Sequence, residues 1–376
     1  MLQTRPATIP LFNLELQHRA LQKEINTAAV RVLESGKFIL GPETGAFEKE
    51  FAQLTGVRHC ISCSSGAGAI QISLAACGIG PGDEVITTPM TFLASASSIS
   101  LTGAKFVLAD VDRTTACLDP VQAEKKITSR TRAILPVHLY GYPAQMKAFM
   151  DLASRRNLKI VEDCAQSHLA GYDGKMTGSI GHAGAFSFYP SKNLGACGDA
   201  GAITTNDEDI ALKCRQLRHN GRNLDKSYEH VLEGSTLRMH EVQAAILRVK
   251  LPHLAAWTEQ RRKTAGLYER GLAGLPVKLP PTTGKGFSQS FYVYTIKAPG
   301  RDELAAHLKA AGIASGIYYP IPLYRQPVYA KLGYKPSDFP ATEMLVSEVL
   351  SLPMFPEITA EQVERVCSEI KKFYKG

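Results

Sequence analysis

The sequence predicts an α/β protein: a largely parallel sheet covered on both faces by helices, followed by a smaller α+β C-terminal domain. From about residue 58 to 220, short apolar runs rich in β-branched residues alternate with amphipathic segments. That alternation is the pattern of a parallel sheet buried on both sides. After a polar loop and a long helical stretch, the chain carries one strand–helix–strand–helix set. A length of 376 residues favours two domains, and the division falls between 1–250 and 251–376.

In chain order the strand-like runs are HCISC (59–63), DEVITT (83–88), AKFVLADV (104–111), TRAILPVHL (131–139), NLKIVEDC (157–164), GAFSFY (184–189) and GAITT (201–205). Helical segments such as GAIQISLAACGIG and QMKAFMDLASRR lie between most of them. Residues 220–237 are polar and contain glycine, so they read as a loop. Residues 238–272 keep helical periodicity, with a kink expected at Pro252. Beyond it come a strand in SFYVYTIKA, a helix in RDELAAHLKAAG, a strand in IASGIYY and a closing helix with a capping box from Thr359 to Gln362. In parallel sheets, ligands bind beyond the carboxyl ends of the strands, so the loops there are where function is expected.

Composition excludes several classes. A hydrophobic share of 44% argues against disorder, and no apolar run approaches the roughly 18 residues of a membrane span. The opening MLQTRPATIPLFNLELQHRA lacks a basic stretch followed by an apolar core, so no secretory signal is expected. The net charge of +8 comes with no dense basic block or aromatic–basic repeat, which argues against nucleic acid. The excess suits phosphorylated small molecules as well as it suits an ordinary basic surface. Of eight cysteines, only Cys60 and Cys63 form a CxxC. With no second pair or His pair they read as buried strand residues, not a metal site. Free thiols point to a reducing cytoplasm.

Three features converge. CSSGAGAI (63–70) runs from a strand through small residues into a helix, which lets backbone N–H groups approach a phosphate; a plain tight turn explains it equally well. Asp163 ends an apolar strand, where a carboxylate needs a cation or protonated nitrogen, or else caps a helix. Lys192 follows FSFYPS in a loop of small residues, with Ser187 five residues earlier. Together they match what pyridoxal 5′-phosphate requires: a phosphate cradle, an acid for the ring nitrogen, and a lysine for the Schiff base. Partial desolvation lowers a lysine pKa and frees its amine for attack.

The chain resembles the DegT/DnrJ/EryC1/StrS sugar aminotransferases, within the aspartate-aminotransferase-like fold of pyridoxal phosphate enzymes. The resemblance runs over almost the whole chain, through FILGPETGAFEKEFA, GIGPGDEVITTPMTFLASAS, AILPVHLYGYPAQM, VEDCAQSH, FSFYPSKNLGACGDAGAITTNDED, RMHEVQAAIL and YYPIPLYRQPVY. It implies a three-layer α/β/α cofactor-binding domain with Lys192 as the Schiff-base lysine and Asp163 on the pyridinium nitrogen. Gln166 would contact the ring oxygen and Phe92 would stack on the ring. Ser187, with Gly66 and the backbone amides of Ala67 and Gly68, would hold the phosphate. Thr236 falls where the family's residue reaches the neighbouring subunit's phosphate, which implies a homodimer with shared sites. Tyr189, Pro190, Tyr318, Tyr319 and Tyr324 would lie near the sugar, and Phe38 near the mouth.

Several residues depart from the family pattern. Ala67 replaces a threonine and Thr236 an asparagine, while Tyr318 and Tyr324 stand where histidine is usual and Asn220 where histidine follows from HG. YPSKNLGACGDAGA resembles members acting on 3-keto nucleotide sugars, which implies amino transfer from glutamate to C3 of a nucleotide-linked keto-hexose. The alternatives are a 4-keto sugar, a keto-cyclitol, a sugar phosphate, or a non-catalytic binding protein. Relatives that act as dehydratases replace the lysine with histidine, and Lys192 argues against that chemistry.

Overall fold

The computed structural model describes residues 8–226, 228–281, 284 and 286–375; the first seven residues of the opening segment read for a signal lie outside them. The chain begins with α1 (Leu14–Ala20), α2 (Gln22–Ser35) and α3 (Pro42–Thr55). Strands and helices then alternate: β1 (His59–Cys63), α4 (Gly66–Ala76), β2 (Glu84–Thr87), α5 (Leu93–Ser100), β3 (Lys105–Leu108), α6 (Pro120–Lys125), β4 (Thr131–Ile134), α7 (Met146–Arg156) and β5 (Lys159–Asp163). A hairpin of β6 (Gly171–Tyr172) and β7 (Lys175–Met176) leads to β8 (Ala183–Ser187), β9 (Gly201–Thr205) and α8 (Glu208–Leu217). The remainder is α9 (Glu241–Lys250), α10 (Leu254–Leu272), β10 (Phe287–Ser288), β11 (Tyr294–Lys297), α11 (Arg301–Ala310), α12 (Pro340–Glu348), β12 (Val349–Leu352) and α13 (Ala360–Lys375).

All seven apolar runs enter one sheet, in the order β1-β9-β8-β5-β4-β2-β3. Its pairs are parallel except those made by β9, which runs antiparallel to β8 and β1. No helix separates β8 from β9, so the chain returns beside its own strand in the opposite sense. Successive side chains alternate between two cores. Val85, Ala133 and Val161 face one with α4 and α5, whereas Ile86, Ile134 and Ile160 face the other with Phe149 of α7. Helices therefore cover both faces, as expected.

The C-terminal part differs from expectation in one element. IASGIYY is not a strand and makes only isolated bridges, Ile313 to Ile9 and Gly316 to Ser351. The partner of β11 is instead β12, antiparallel, from the VLSL stretch. The 313–319 segment breaks off because it carries its last two tyrosines into the cavity described below. The expected kink is present: Pro252 lies in a 3₁₀ turn between α9 and α10. The capping box is present too, with Thr359 Oγ1 accepting from Gln362 N at 3.2 Å and Gln362 Oε1 from Thr359 N at 3.0 Å.

Strand alternation also sets the site. Phe186 and Phe188 point inward and meet Phe47 and Phe51 edge-on at centroid distances of 5.0–5.3 Å. The intervening Ser187 and Tyr189 must then face the opposite way, into the open end of the sheet.

Candidate active site

A cavity of about 510 Å³ opens where the parallel strands end, within the roughly 300–1,000 Å³ of small-molecule sites. Asp163 comes from the end of β5, Ser187 from the end of β8, Ser65 to Ala67 from the turn after β1, and Thr91 to Ser95 from the turn after β2. Lys192 reaches it from the loop after β8.

Asp163 is buried and its carboxylate is supported on two sides. Ser95 Oγ donates to Oδ2 at 2.7 Å and Ala165 N to Oδ1 at 3.1 Å. Ser95 has spent its only proton there, so the 2.9 Å contact with Thr91 Oγ1 must be donated by Thr91. No helix follows Asp163, which removes the capping alternative. Burial raises the carboxyl above its ordinary value, opposed by Ser95, the Ala165 N–H, Lys192 and His138. Lys192 shows the complementary effect. Burial lowers its amine from the ordinary 10.5 to about 8, and Asp163 pulls it back up. Its Nζ stands 4.4 Å from the ring centroid of Tyr292.

Gln166 is oriented at both ends of its amide. Oε1 accepts from Tyr140 N at 2.7 Å and Nε2 donates to the Tyr319 hydroxyl at 3.0 Å. Burial raises the hydroxyl pKa of Tyr319, and takes that of Tyr318 up to about 12, so both are neutral donors at physiological pH. Phe92 lines the cavity with 61% of its surface exposed, its centroid 6.1 Å from that of Tyr319. Tyr189 lines the same wall.

The turn after β1 is shaped as a cradle. Gly66 lies so close to β8 that a Cβ would come within 2.5 Å of the Ser187 Cβ. The first-turn amides of Gly66 and Ala67 have no partner inside α4, and they sit with the hydroxyls of Ser65 and Ser187 at one end of the cavity. A helix N-terminus with hydroxyls is a phosphate-binding arrangement. The residues present therefore fit pyridoxal phosphate: an anion cradle, a buried acid and a partly desolvated amine share one cavity.

Five expected site residues are not among those lining the cavity, and one of them is Pro190, between the lining residues Tyr189 and Ser191. The Gly68 amide is taken by the N-cap, donating to Ser65 Oγ at 3.1 Å, so Ser65 replaces it at the cavity wall. Tyr324 is buried, stacks on Phe339 at 4.6 Å and gives its hydroxyl to Glu343, which corrects its expected place at the sugar. Phe38 is half-exposed on the segment joining α2 to α3, where its carbonyl accepts from Glu241 N at 2.9 Å. Thr236 is exposed and donates to Asn220 Oδ1 at 2.9 Å, outside this chain's cavity. Conversely Ser65, Thr91, Ser95 and Tyr292 line it without having been singled out. Ser95 stands within the TFLASAS block but in a run of small residues that gives no sign of which hydroxyl turns inward.

The sequence profile of the DegT/DnrJ/EryC1/StrS aminotransferase family matches residues 19–371. A pleiotropic regulatory protein of Geobacillus stearothermophilus is 48% identical over 98% of this chain and 99% of its own. The UDP-N-acetyl-3-dehydro-α-D-glucosamine 3-aminotransferase of Acidithiobacillus ferrooxidans is 42% identical over 99% of this chain and all of its own. The crystal structure of DesV from Streptomyces venezuelae superposes with a TM-score of 0.95 at 41% identity, covering 98% of this chain and 99% of that one.

Proposed function

The chain belongs to the DegT/DnrJ/EryC1/StrS aminotransferase family, and on that premise we propose that it moves an amino group from glutamate to C3 of a nucleotide-linked keto-hexose. The carrying observation is the single cavity that holds Lys192, Asp163, Gln166 and Ser187 together. The cofactor is pyridoxal 5′-phosphate. When bound, it supplies an aldehyde that captures amines and a ring that withdraws electrons from the adjoining carbon.

The chain's residues divide the remaining work. Ser65, Ser187 and the first-turn amides of Gly66 and Ala67 would hold the phosphate at the positive end of α4. Asp163, supported by Ser95, would pair with the ring nitrogen, Phe92 would cover the ring and Gln166 would contact the ring oxygen. Lys192 would hold the cofactor and, when free, move the proton. Tyr189, Tyr318 and Tyr319 would offer hydroxyls to the sugar. The C3 preference rests on YPSKNLGACGDAGA and on the 3-aminotransferase relative. The regulatory name of another relative keeps a non-catalytic role as the second reading, which the intact lysine and acid disfavour.

We also read the chain as a homodimer whose partner supplies Thr236, divided into a large unit up to residue 250 and a small one beyond it. Eight cysteines without a disulfide fit a reducing cytoplasm. Among the described residues no helix is long and apolar enough to cross a membrane.

The test is a panel of 3-keto and 4-keto nucleotide sugars with glutamate as donor, read by product mass and sugar NMR. Amination at C3 is the expected result. Amination confined to 4-keto substrates would move the proposal to the other subgroup, and a colourless protein that borohydride leaves unlabelled would favour the non-catalytic reading.

A further inference from the structure

Lys192 is held from a part of the chain to which none of the roles above is assigned. Asn193 Nδ2, one residue after it, donates to the Ser290 carbonyl at 3.1 Å. Ser191 Oγ, one residue before it, lies 3.3 Å from the Tyr292 hydroxyl. The lysine amine itself stands over the Tyr292 ring at 4.4 Å. Both neighbours of the lysine, and the lysine, are thus tied to residues 290–292.

Tyr292 is itself fixed on every side. It is 5% exposed, and Phe12 stacks against it at 5.5 Å with an interplanar angle of 23°. Its N–H donates to the Tyr140 carbonyl at 3.1 Å. Its carbonyl accepts from Arg261 Nη1 at 3.3 Å, and the same buried guanidinium holds the carbonyls of Phe291 and Met354 at 3.2 and 3.1 Å. A ring so constrained is a fixed surface under a flexible four-carbon side chain.

We propose that Tyr292 is a positioning residue for the reaction: its ring face holds the free amine of Lys192 over the cavity while that amine carries a proton. This rests on the reading of Lys192 as the catalytic lysine. A ring face suits the task because its quadrupole attracts an ammonium group yet accepts no proton. A carbonyl or carboxylate in the same place would bind the ammonium and hold back the proton that must be handed on. Asp163 is the charged group that acts on the amine, and the neutral tyrosines Tyr318 and Tyr319 line the same cavity. Tyr189 and Asp199 complete the titratable lining, and buried neutral His168 lies behind β8.

The experiment uses the full-length chain freed of cofactor. Lys192 is labelled with a neutral amine reagent across pH 6–11, and its rate is resolved by peptide mass spectrometry. The wild-type midpoint is expected at about 8. Tyr292→Leu removes the ring and should lower that midpoint by about one pH unit, in the range of a desolvated cation–π contact. Tyr292→Phe keeps the ring, loses only the Ser191 contact, and should leave the midpoint in place. Circular dichroism and thermal unfolding of the variants show whether the fold persists; if the leucine variant does not fold, Tyr292→Met, which fills more of the ring's space, takes its place with the same expected drop and the same overturning result. An unchanged or higher midpoint in folded Tyr292→Leu, or a drop in Tyr292→Phe, overturns the proposal. Borohydride trapping of pyridoxal phosphate on wild-type protein separates the two readings. Trapping at Lys192 with no leucine effect overturns this inference alone, and trapping at another residue overturns both.

Discussion

Burial pushes the Asp163 carboxyl up while Ser95 and the Ala165 N–H favour its charged form, and this makes two consequences of the residue separable. Asp163→Asn removes a desolvated charge, so the cofactor-free chain should unfold at the same temperature or higher. The same change leaves the ring nitrogen without an acid partner, so turnover should fall by about two orders of magnitude or more. Thermal unfolding and steady-state kinetics on one preparation check both; loss of both together would return Asp163 to a structural role. Lys192 adds a pH prediction. Its folded pKa of about 8 lies below its ordinary 10.5, so in this interval the unfolded chain binds the extra proton. Stability must then rise with pH from about 8 to 10.5, while below 8 both states are charged and the full burial penalty applies. Lys192→Met should abolish that rise in cofactor-free protein and abolish the half-reaction with glutamate. That Lys192, Asp163 and Ser187 share one cavity was legible, because two of them close apolar strand runs and the third follows in a loop of small residues. Tyr292 was not, because only tertiary contact brings residue 292 beside residue 192.

The same distinction holds for elements. Short apolar runs marked every strand of the main sheet, most of them rich in β-branched residues, as suits strands buried on both faces. The antiparallel sense of β9 was not legible, because direction is set by the connection and not by the run. IASGIYY has strand composition but leaves the ladder to carry Tyr318 and Tyr319 into the cavity, so function overrides propensity there. The start of α3 depends on a residue of α9 far away in sequence. Glu241 accepts from Gly41 N and Thr44 N at 2.9 and 3.2 Å, and also from Glu43 N and Thr44 Oγ1. It caps α3 and fixes the segment that carries Phe38. A Cβ at Gly41 would come within 2.6 Å of its Oε1, so the cap requires glycine there. Glu241→Ala leaves buried donors unsatisfied and should lower stability by roughly 3 kcal/mol, read as a drop in the urea midpoint. Glu241→Gln keeps one acceptor and should recover part of it.

At the scale of the whole molecule, the question is whether one chain completes its own site. Phe92 and Tyr189 line the cavity with 61% and 54% of their surfaces exposed, so its mouth is wide in this chain. Thr236 points elsewhere, to Asn220, and the stretch between α8 and α9 that carries it also exposes Leu224, Val231 and Leu232. If a second copy covers the mouth and presents its own Thr236 to the phosphate, cofactor retention depends on association. Pyridoxal phosphate should then dissociate on dilution in step with the loss of dimer, followed by absorbance and light scattering on the same samples. Thr236→Asn restores a longer amide and adds about one hydrogen bond to a charged group, tightening cofactor binding by roughly 1.5 kcal/mol. The alternative is that Thr236 only closes its own loop on Asn220 and a water contacts the phosphate instead. Tight, concentration-independent cofactor binding by a monomer would end the shared-site reading, and an unchanged affinity in the asparagine variant would end the part assigned to Thr236.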